Sequence, residues 1–326
     1  MFRMQIQSKK KCIWYCSAAV SFLLFLLLNL WCDHLVNMQD AQQMAGRWSE
    51  KKDVAQISCF FSSKAEVTED TIQSFEYSLK NVLQEASITE TSENPSARLW
   101  VDAYSADGKI TLVNGRNTLD ANAIGIGGDF FLFHPLKLIT GSYFSGNDLM
   151  QDYCIIDQDA AWQLFGSNDV VGMTVYIGNV PHIVTGVVRR PQGRMEKAAG
   201  LTSTVVYVSY ETLETYGTSN GINHYEIVMP NPVDEFAYGK VKEGIGIDEK
   251  NVEIVENSRR YSLPNRIKTI FSFGTRSMNG KAIIYPYWEN LARGYEDIIA
   301  FLTVFMLLLL LYPVAVSYTH LRAHET

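Results

Sequence analysis

The 326-residue sequence predicts an α+β extracytoplasmic domain, a mixed sheet with β-α-β-β elements, flanked by two transmembrane α-helices. Three observations carry that prediction. Two uncharged runs, Ile13 to Trp31 and Ile298 to Val316, are each nineteen residues long, enough for a helix rising about 1.5 Å per residue to cross a hydrocarbon core. Between them, short β-rich runs alternate with segments whose apolar residues recur at helical spacing. Residues 128–190 then place a strand, a helix with signals at both ends and a tight hairpin in succession.

Residues 1–12 form a basic leader with Arg3, Lys9, Lys10 and Lys11, and Asp33 follows the first run. The positive-inside rule therefore puts Met1 in the cytoplasm, residues 13–31 across the membrane and residues 32–297 outside. A cleaved signal peptide shares the basic start and apolar core, but this run is long for one and no small-x-small site follows it. Trp31 stands where a lipidated cysteine at position 32 would need a small neighbour. Leu35 to Trp48 holds good helix formers and is expected to continue the span outward as a stalk.

Asp53 to Ser62 reads as a strand through Val54, Ile57, Cys59, Phe60 and Phe61. Thr68 is a candidate N-cap, with Glu69 and Asp70 in the first turn and Ile72, Phe75, Leu79, Val82, Leu83 and Ala86 at helical spacing. Arg98 to Ser105 and Lys109 to Asn114 flank Ala106-Asp107-Gly108 and are expected to form a hairpin. In the central segment, Tyr153 to Ile156 is a strand and Asp157-Gln158-Asp159 opens a helix that Gly166 ends, with Leu164 and Phe165 facing the sheet and Gln163 the solvent. Met173 to Ile177 and His182 to Val188 are strands joined by a Gly178-Asn179 turn, with a Pro181 that suits a strand start or edge. Further on, Thr204 to Val208, Tyr225 to Met229 and Val252 to Val255 read as strands and Phe236 to Glu243 as a weak helix. Pro264 to Tyr285 gives mixed signals, with a turn at Asn279-Gly280.

In order and in residues, the central segment resembles the extracytoplasmic core domain of MacB-like and FtsX-like ABC-transporter permeases. The matching positions are Gly128, Phe130 and Phe131; Gly141, Phe144 and Asp148; Ile155 and Ile156; Ala161, Leu164, Phe165 and Gly166; Val171 and Gly172; and Val184, Gly186 and Val187. Ser142 departs from the arginine that often follows the turn glycine in that family. About a fifth of the chain carries the resemblance, and the matching residues are structural rather than chemical.

A search for chemistry assigns no catalytic, cofactor-binding or metal-ligating residue. Gly141 to Gly146 has the glycine spacing of a phosphate loop, but Asn147-Asp148 replaces its Lys-Ser/Thr. Gly125-Ile126-Gly127-Gly128 has Phe130 where a dinucleotide fingerprint needs its third glycine, and reads as a turn. Histidines 34, 134, 182, 224, 320 and 324 are scattered, which argues against a zinc site. The five cysteines make no framework, and Cys59 and Cys154, both in strands, read as small buried hydrophobes rather than a disulfide. Of 28 basic and 35 acidic residues, five basic and one acidic fall outside residues 33–297, leaving 23 against 34. A domain of net charge −11 disfavours nucleic acid.

The resemblance implies a permease subunit of the bacterial inner or plasma membrane, multi-pass, that has no enzymatic activity of its own. Its implied partners are a cytoplasmic ABC ATPase subunit, a second permease subunit in a homo- or heterodimer, and the lipid bilayer; no cofactor is implied. The implied action is mechanical: ATP hydrolysis in the ATPase chain moves the spans and stalks, and the outer domain changes shape to export or release a substrate. A membrane-anchored sensor or receptor domain shares the topology and is the competing expectation. Residues 317–326, SYTHLRAHET, read as a non-native tail after the second span at 298–316, so the chain is expected to be a truncated permease.

Overall fold

The computed structural model describes residues 2–49, 53–89, 98–276, 278 and 280–325. The chain divides into two units: Met1–Gln39, Tyr261–Met278 and Arg293–Thr326 make one, and Asp40–Arg260 with Asn279–Ala292 make the other. In the first unit, helix α1 (Phe2–Asn37) contains the first apolar run.

The larger unit opens with α2 (Met44–Trp48), so residues 35–48 are not one stalk: α1 ends at Asn37, and a single 3₁₀ turn, Asp40–Gln42, separates the two helices. Strand β1 (Val54–Phe61) alternates as a half-polar strand must, and Ala55, Ile57, Cys59 and Phe61 enter one core while Gln56, Ser58 and Phe60 face the other way. Helix α3 (Glu69–Glu85) buries Ile72, Phe75, Leu79 and Leu83 on that first core, and the Thr71 hydroxyl accepts the Thr68 N–H at 3.4 Å to close its start. The expected hairpin at Ala106-Asp107-Gly108 is not formed. Strand β2 (Val101–Asn114) runs straight through it and turns at Gly115 and Arg116 into β3 (Asn117–Gly128). The Gly125 to Gly128 stretch is likewise strand, not turn, because its small residues admit a neighbour: a Cβ on Gly127 would lie 2.0 Å from the Tyr104 ring.

The central segment follows the expected β-α-β-β order. After α4 (Phe130–Phe133) and β4 (Lys137–Gly141) come β5 (Tyr153–Asp157), α5 (Gln158–Phe165), β6 (Thr174–Ile177) and β7 (Val180–Arg189). The Asp157 carboxylate accepts the Ala160 N–H at 2.8 Å at the N-cap of α5, and Gly166 closes the helix at φ 72°. Leu164 is the anchor of α5 at 1% exposure, whereas Phe165 packs half-buried at the edge of the core. The β6–β7 turn has both Gly178 and Asn179 at positive φ, 55° and 68°, the pairing that suits the twist of a two-residue hairpin. The order continues through α6 (Arg194–Ala198), β8 (Val205–Ser209), α7 (Tyr210–Tyr216), β9 (Thr218–Ser219), β10 (His224–Pro230), α8 (Phe236–Gly244) and β11 (Val252–Glu256).

The strands form one mixed sheet in the order β11-β1-β10-β2-β3-β8-β5-β7-β4, with β6 pairing β2 and β7, and β9 pairing β2. The β3–β8 and β5–β7 pairs are parallel and the others antiparallel. One face carries α3, α5, α7 and α8 over the larger core. The opposite face carries α2, α4 and Trp288 over a second core that includes Val101, Ile126, Tyr207 and Val228. The region of mixed signals yields α9 (Leu263–Ser272), in the first unit, where Leu263, Ile267 and Phe271 are exposed at a four-residue spacing. Asn279, half of an expected turn, lies outside the described residues. Helix α10 (Tyr287–Glu325) contains the second apolar run, and in the first unit the Ser21 hydroxyl of α1 donates to the Leu309 carbonyl at 2.7 Å, with Cys32, Ile299, Leu302 and Met306 packed nearby.

Glu76 of α3 sits beside Asp102 of β2, and burial followed by the neighbouring carboxyl raises Glu76 to about 8. Burial raises Asp102 too, and the Tyr225 hydroxyl donates to it at 2.9 Å. Both folded-state values lie above the unfolded ones, so this pair's contribution is complete below about pH 4 and is lost as pH rises toward 8. In unfolding of the purified chain between pH 5 and pH 9, this pair contributes a downward slope of stability with pH, set against the rise that buried His134 contributes as pH climbs through the unfolded histidine value. Glu76→Gln, which keeps the hydrogen bond without the proton, is expected to flatten that slope; an unchanged slope would contradict it.

Candidate functional site

A polar network crosses the second face of the sheet, and strand register dictates it. Because side chains alternate along β10, His224, Glu226 and Val228 point to the second core and Tyr225, Ile227 and Met229 to the first. Antiparallel pairing sets Ser58 opposite Glu226, Phe60 opposite His224 and Ser105 opposite His224 on the other side. The Ser58 hydroxyl accordingly donates to Glu226 Oε1 at 2.5 Å, and the Phe60 ring stacks on His224 with centroids 4.9 Å apart. His134 reaches the same carboxylate from the end of α4, Nε2 to Oε2 at 2.7 Å, and His224 Nε2 stands 3.5 Å from Oε1. All three residues are at most 5% exposed.

From Ser58 the network runs to the start of α10. Asn257 Nδ2 donates to Ser58 Oγ at 2.6 Å, and Arg260 Nη1 donates to Asn257 Oδ1 at 3.2 Å. The same guanidinium grips Glu289 in a two-pronged pair, Nη1 to Oε2 at 2.7 Å and Nη2 to Oε1 at 2.8 Å. The side chains of Arg260 and Glu289 are 2% and 1% exposed. Trp288, one residue earlier in α10, packs over His134 at 4.3 Å and His224 at 5.3 Å between ring centroids, with Phe130 at 5.8 Å. The first turn of α10 is thus held in this unit by an aromatic wedge and a buried ion pair.

Burial pushes the His134 imidazole below its usual value against the pull of Glu226, so it is mainly neutral at pH 7. Burial alone would raise Glu226, but His134 and His224 outweigh it and hold the carboxyl well below the usual range. Cys59 and Cys154 are free and buried, and burial pushes the Cys154 thiol up to about 12. Neither thiol is suited to nucleophilic work. The glycines of the Gly141 to Gly146 run serve packing: Gly141 is at φ 84°, and a Cβ there would lie 2.1 Å from the Thr185 carbonyl. Separation in the chain hid the network, since His134 and His224 are ninety residues apart; the only local signal was His224-Tyr225-Glu226, whose alternation places both polar residues on one face.

The architecture is a single mixed sheet with helices over both faces, crossed on one face by a buried polar network. The model of the MacB-like periplasmic core domain family matches residues 38–254, and the chain belongs to that family. It is similar to "Macrolide export ATP-binding/permease protein MacB" of Pasteurella multocida (strain Pm70), 32% identical over 81 residues, which are 24% of this chain and 12% of that protein. The protein of the same description from Chromobacterium violaceum is 31% identical over 96 residues, 29% of this chain and 14% of its own length. The matches thus span only about an eighth of those relatives. Among solved structures, the periplasmic region of MacB from Actinobacillus actinomycetemcomitans aligns with 67% of this chain and 92% of its own, at 20% identity and TM-score 0.42. The extracellular domain of the noncanonical ABC-type transporter YknZ from Gram-positive bacteria aligns with 61% of this chain and 99% of its own, at 19% identity and TM-score 0.39.

Arg260→Met removes the two-pronged partner of the buried Glu289 and is expected to cost about 3–5 kcal/mol. Adding Glu289→Leu removes both charges and is expected to recover most of that loss. Denaturant unfolding of the purified chain, followed by tryptophan fluorescence, measures both. A single-variant cost under about 1 kcal/mol would show that the pair does not hold the helix start.

Proposed function

We propose that the chain is the membrane-spanning permease subunit of an ABC transporter of the MacB/FtsX type. It couples ATP hydrolysis by a separate ATPase chain to movement of the extracytoplasmic domain, for export or release of a substrate. The observation that supports this most strongly is that a MacB-like core domain holds the first turn of α10 through Arg260, Glu289 and Trp288, and α10 goes on to carry an apolar run long enough to span a bilayer. A helix held this way moves only if the sheet moves with it. The domain therefore follows a displacement that begins in the membrane, which is what a mechanically coupled permease needs. The sensor reading shares the topology, but family membership favours the permease.

In this reading α1 and α10 cross the bacterial inner or plasma membrane, Met1 is cytoplasmic, and the domain between the helices is outside. The partners are the ATPase, a second permease subunit and the bilayer. No residue of the chain is assigned a catalytic role.

Asn220 is exposed, and a single cysteine there, in a chain stripped of its native cysteines, reports the side of the membrane. The expected result is labelling by a membrane-impermeant maleimide in intact spheroplasts. Labelling only after lysis would contradict the topology and the function with it.

A further inference from the structure

We propose that His134, His224 and Glu226 form a binding site for one divalent first-row transition-metal ion of the zinc class. The three residues bring their ligand atoms within 4.8 Å of one another in the interior. His134 Nε2, His224 Nε2 and Glu226 Oε2 are all buried, and among the described residues none has a hydrogen bond to a group outside the trio. Buried polar atoms are ordinarily satisfied, so three that converge without an outside partner mark a place where something else completes the set. One cation satisfies all of them at once.

The donor set selects the kind of ion. Two imidazole nitrogens and a carboxylate suit zinc and its first-row neighbours, whereas calcium and magnesium need a cage richer in oxygen. The surroundings are those of a built site. Ser58 orients the carboxylate at 2.5 Å and is itself held by Asn257, while the Ser105 hydroxyl lies 3.4 Å from His224 Nδ1. Such outer partners fix ligand rings and tautomers. Phe60, Phe130 and Trp288 wall the site with aromatic surface. With every ligand at most 5% exposed, the ion is structural. It ties β10 to the segment after α4 directly beneath Trp288, and so stiffens the place where α10 begins.

The test uses the full chain purified in detergent, stripped with a chelator and titrated with Co²⁺ and then Zn²⁺. The expected result is one Co²⁺ per chain, with visible absorption from nitrogen and oxygen ligands that Zn²⁺ abolishes, and a higher unfolding temperature with Zn²⁺ than without. His134→Gln and His224→Gln are each expected to weaken binding at least about tenfold, while His34→Gln, exposed on α1, leaves it unchanged. X-ray absorption on the Zn²⁺-loaded wild-type chain, expected to show two imidazoles, keeps the test independent of whether a variant folds. Absence of saturable binding by the folded wild-type chain would overturn the proposal, leaving the trio as a buried histidine–carboxylate cluster. So would one-to-one binding that folded His134→Gln and His224→Gln retain undiminished, or a spectrum without imidazole ligands.

Discussion

Arg260 and Glu289 cannot be parted cheaply, and much of the second face of the sheet is arranged around that fact. A guanidinium and a carboxylate almost wholly removed from water are costly unless paired, and here they are paired twice over. Asn257 joins the pair to Ser58, and the β1–β10 register joins Ser58 to Glu226. A shift of β1 by one residue along β10 would turn Ser58 into the opposite, apolar core and part it from Glu226. The alternation of Gln56, Ser58 and Phe60 with Ala55, Ile57 and Cys59 therefore specifies the strand pairing and the anchorage of α10 together.

The legible parts of the sequence were those whose backbone chemistry is local. Asp157 caps α5, Gly166 ends it in the left-handed region, and Gly178-Asn179 can form only a few turns, so the β-α-β-β order could be read directly. Errors fell where glycine serves tertiary contact instead of turning the chain. Gly108 lies in mid-strand because a Cβ would meet the Thr218 carbonyl at 2.4 Å, and Gly127 because Tyr104 occupies the space. Low strand propensity in β3 was overridden by its pairing with β2 and β8. The expected stalk failed for a similar reason: helix-forming residues past Asn37 are diverted when Met44 donates its backbone N–H to Gln56 Oε1 and Met44 and Ala45 join the second core. The network itself was out of reach, since its members come from β1, β10, the end of α4, the turn after β11 and the start of α10.

The family places the chain among MacB-like domains, and the network suggests how such a domain answers to a membrane helix. Hydrophobic contact alone is non-directional and lets a helix slide, whereas a two-pronged ion pair and an aromatic wedge fix position and rotation. Under the proposed function, a displacement of α10 reaches the β1–β10 pair first and the rest of the sheet through it. The His134, His224 and Glu226 trio sits at that junction, so an ion bound there would adjust its stiffness.

Hydrogen exchange of the chain assembled with the ATPase that the proposed function gives it, compared with and without ATP, tests this transmission most directly. In the wild type, amides of residues 287–292 and of β1 and β10 are expected to change protection together on nucleotide binding. In the folded Arg260→Met, Glu289→Leu double variant, the helix start is expected to respond while the two strands do not. Equal responses of the strands with and without the ion pair would contradict the account, because motion would then reach the sheet by another route.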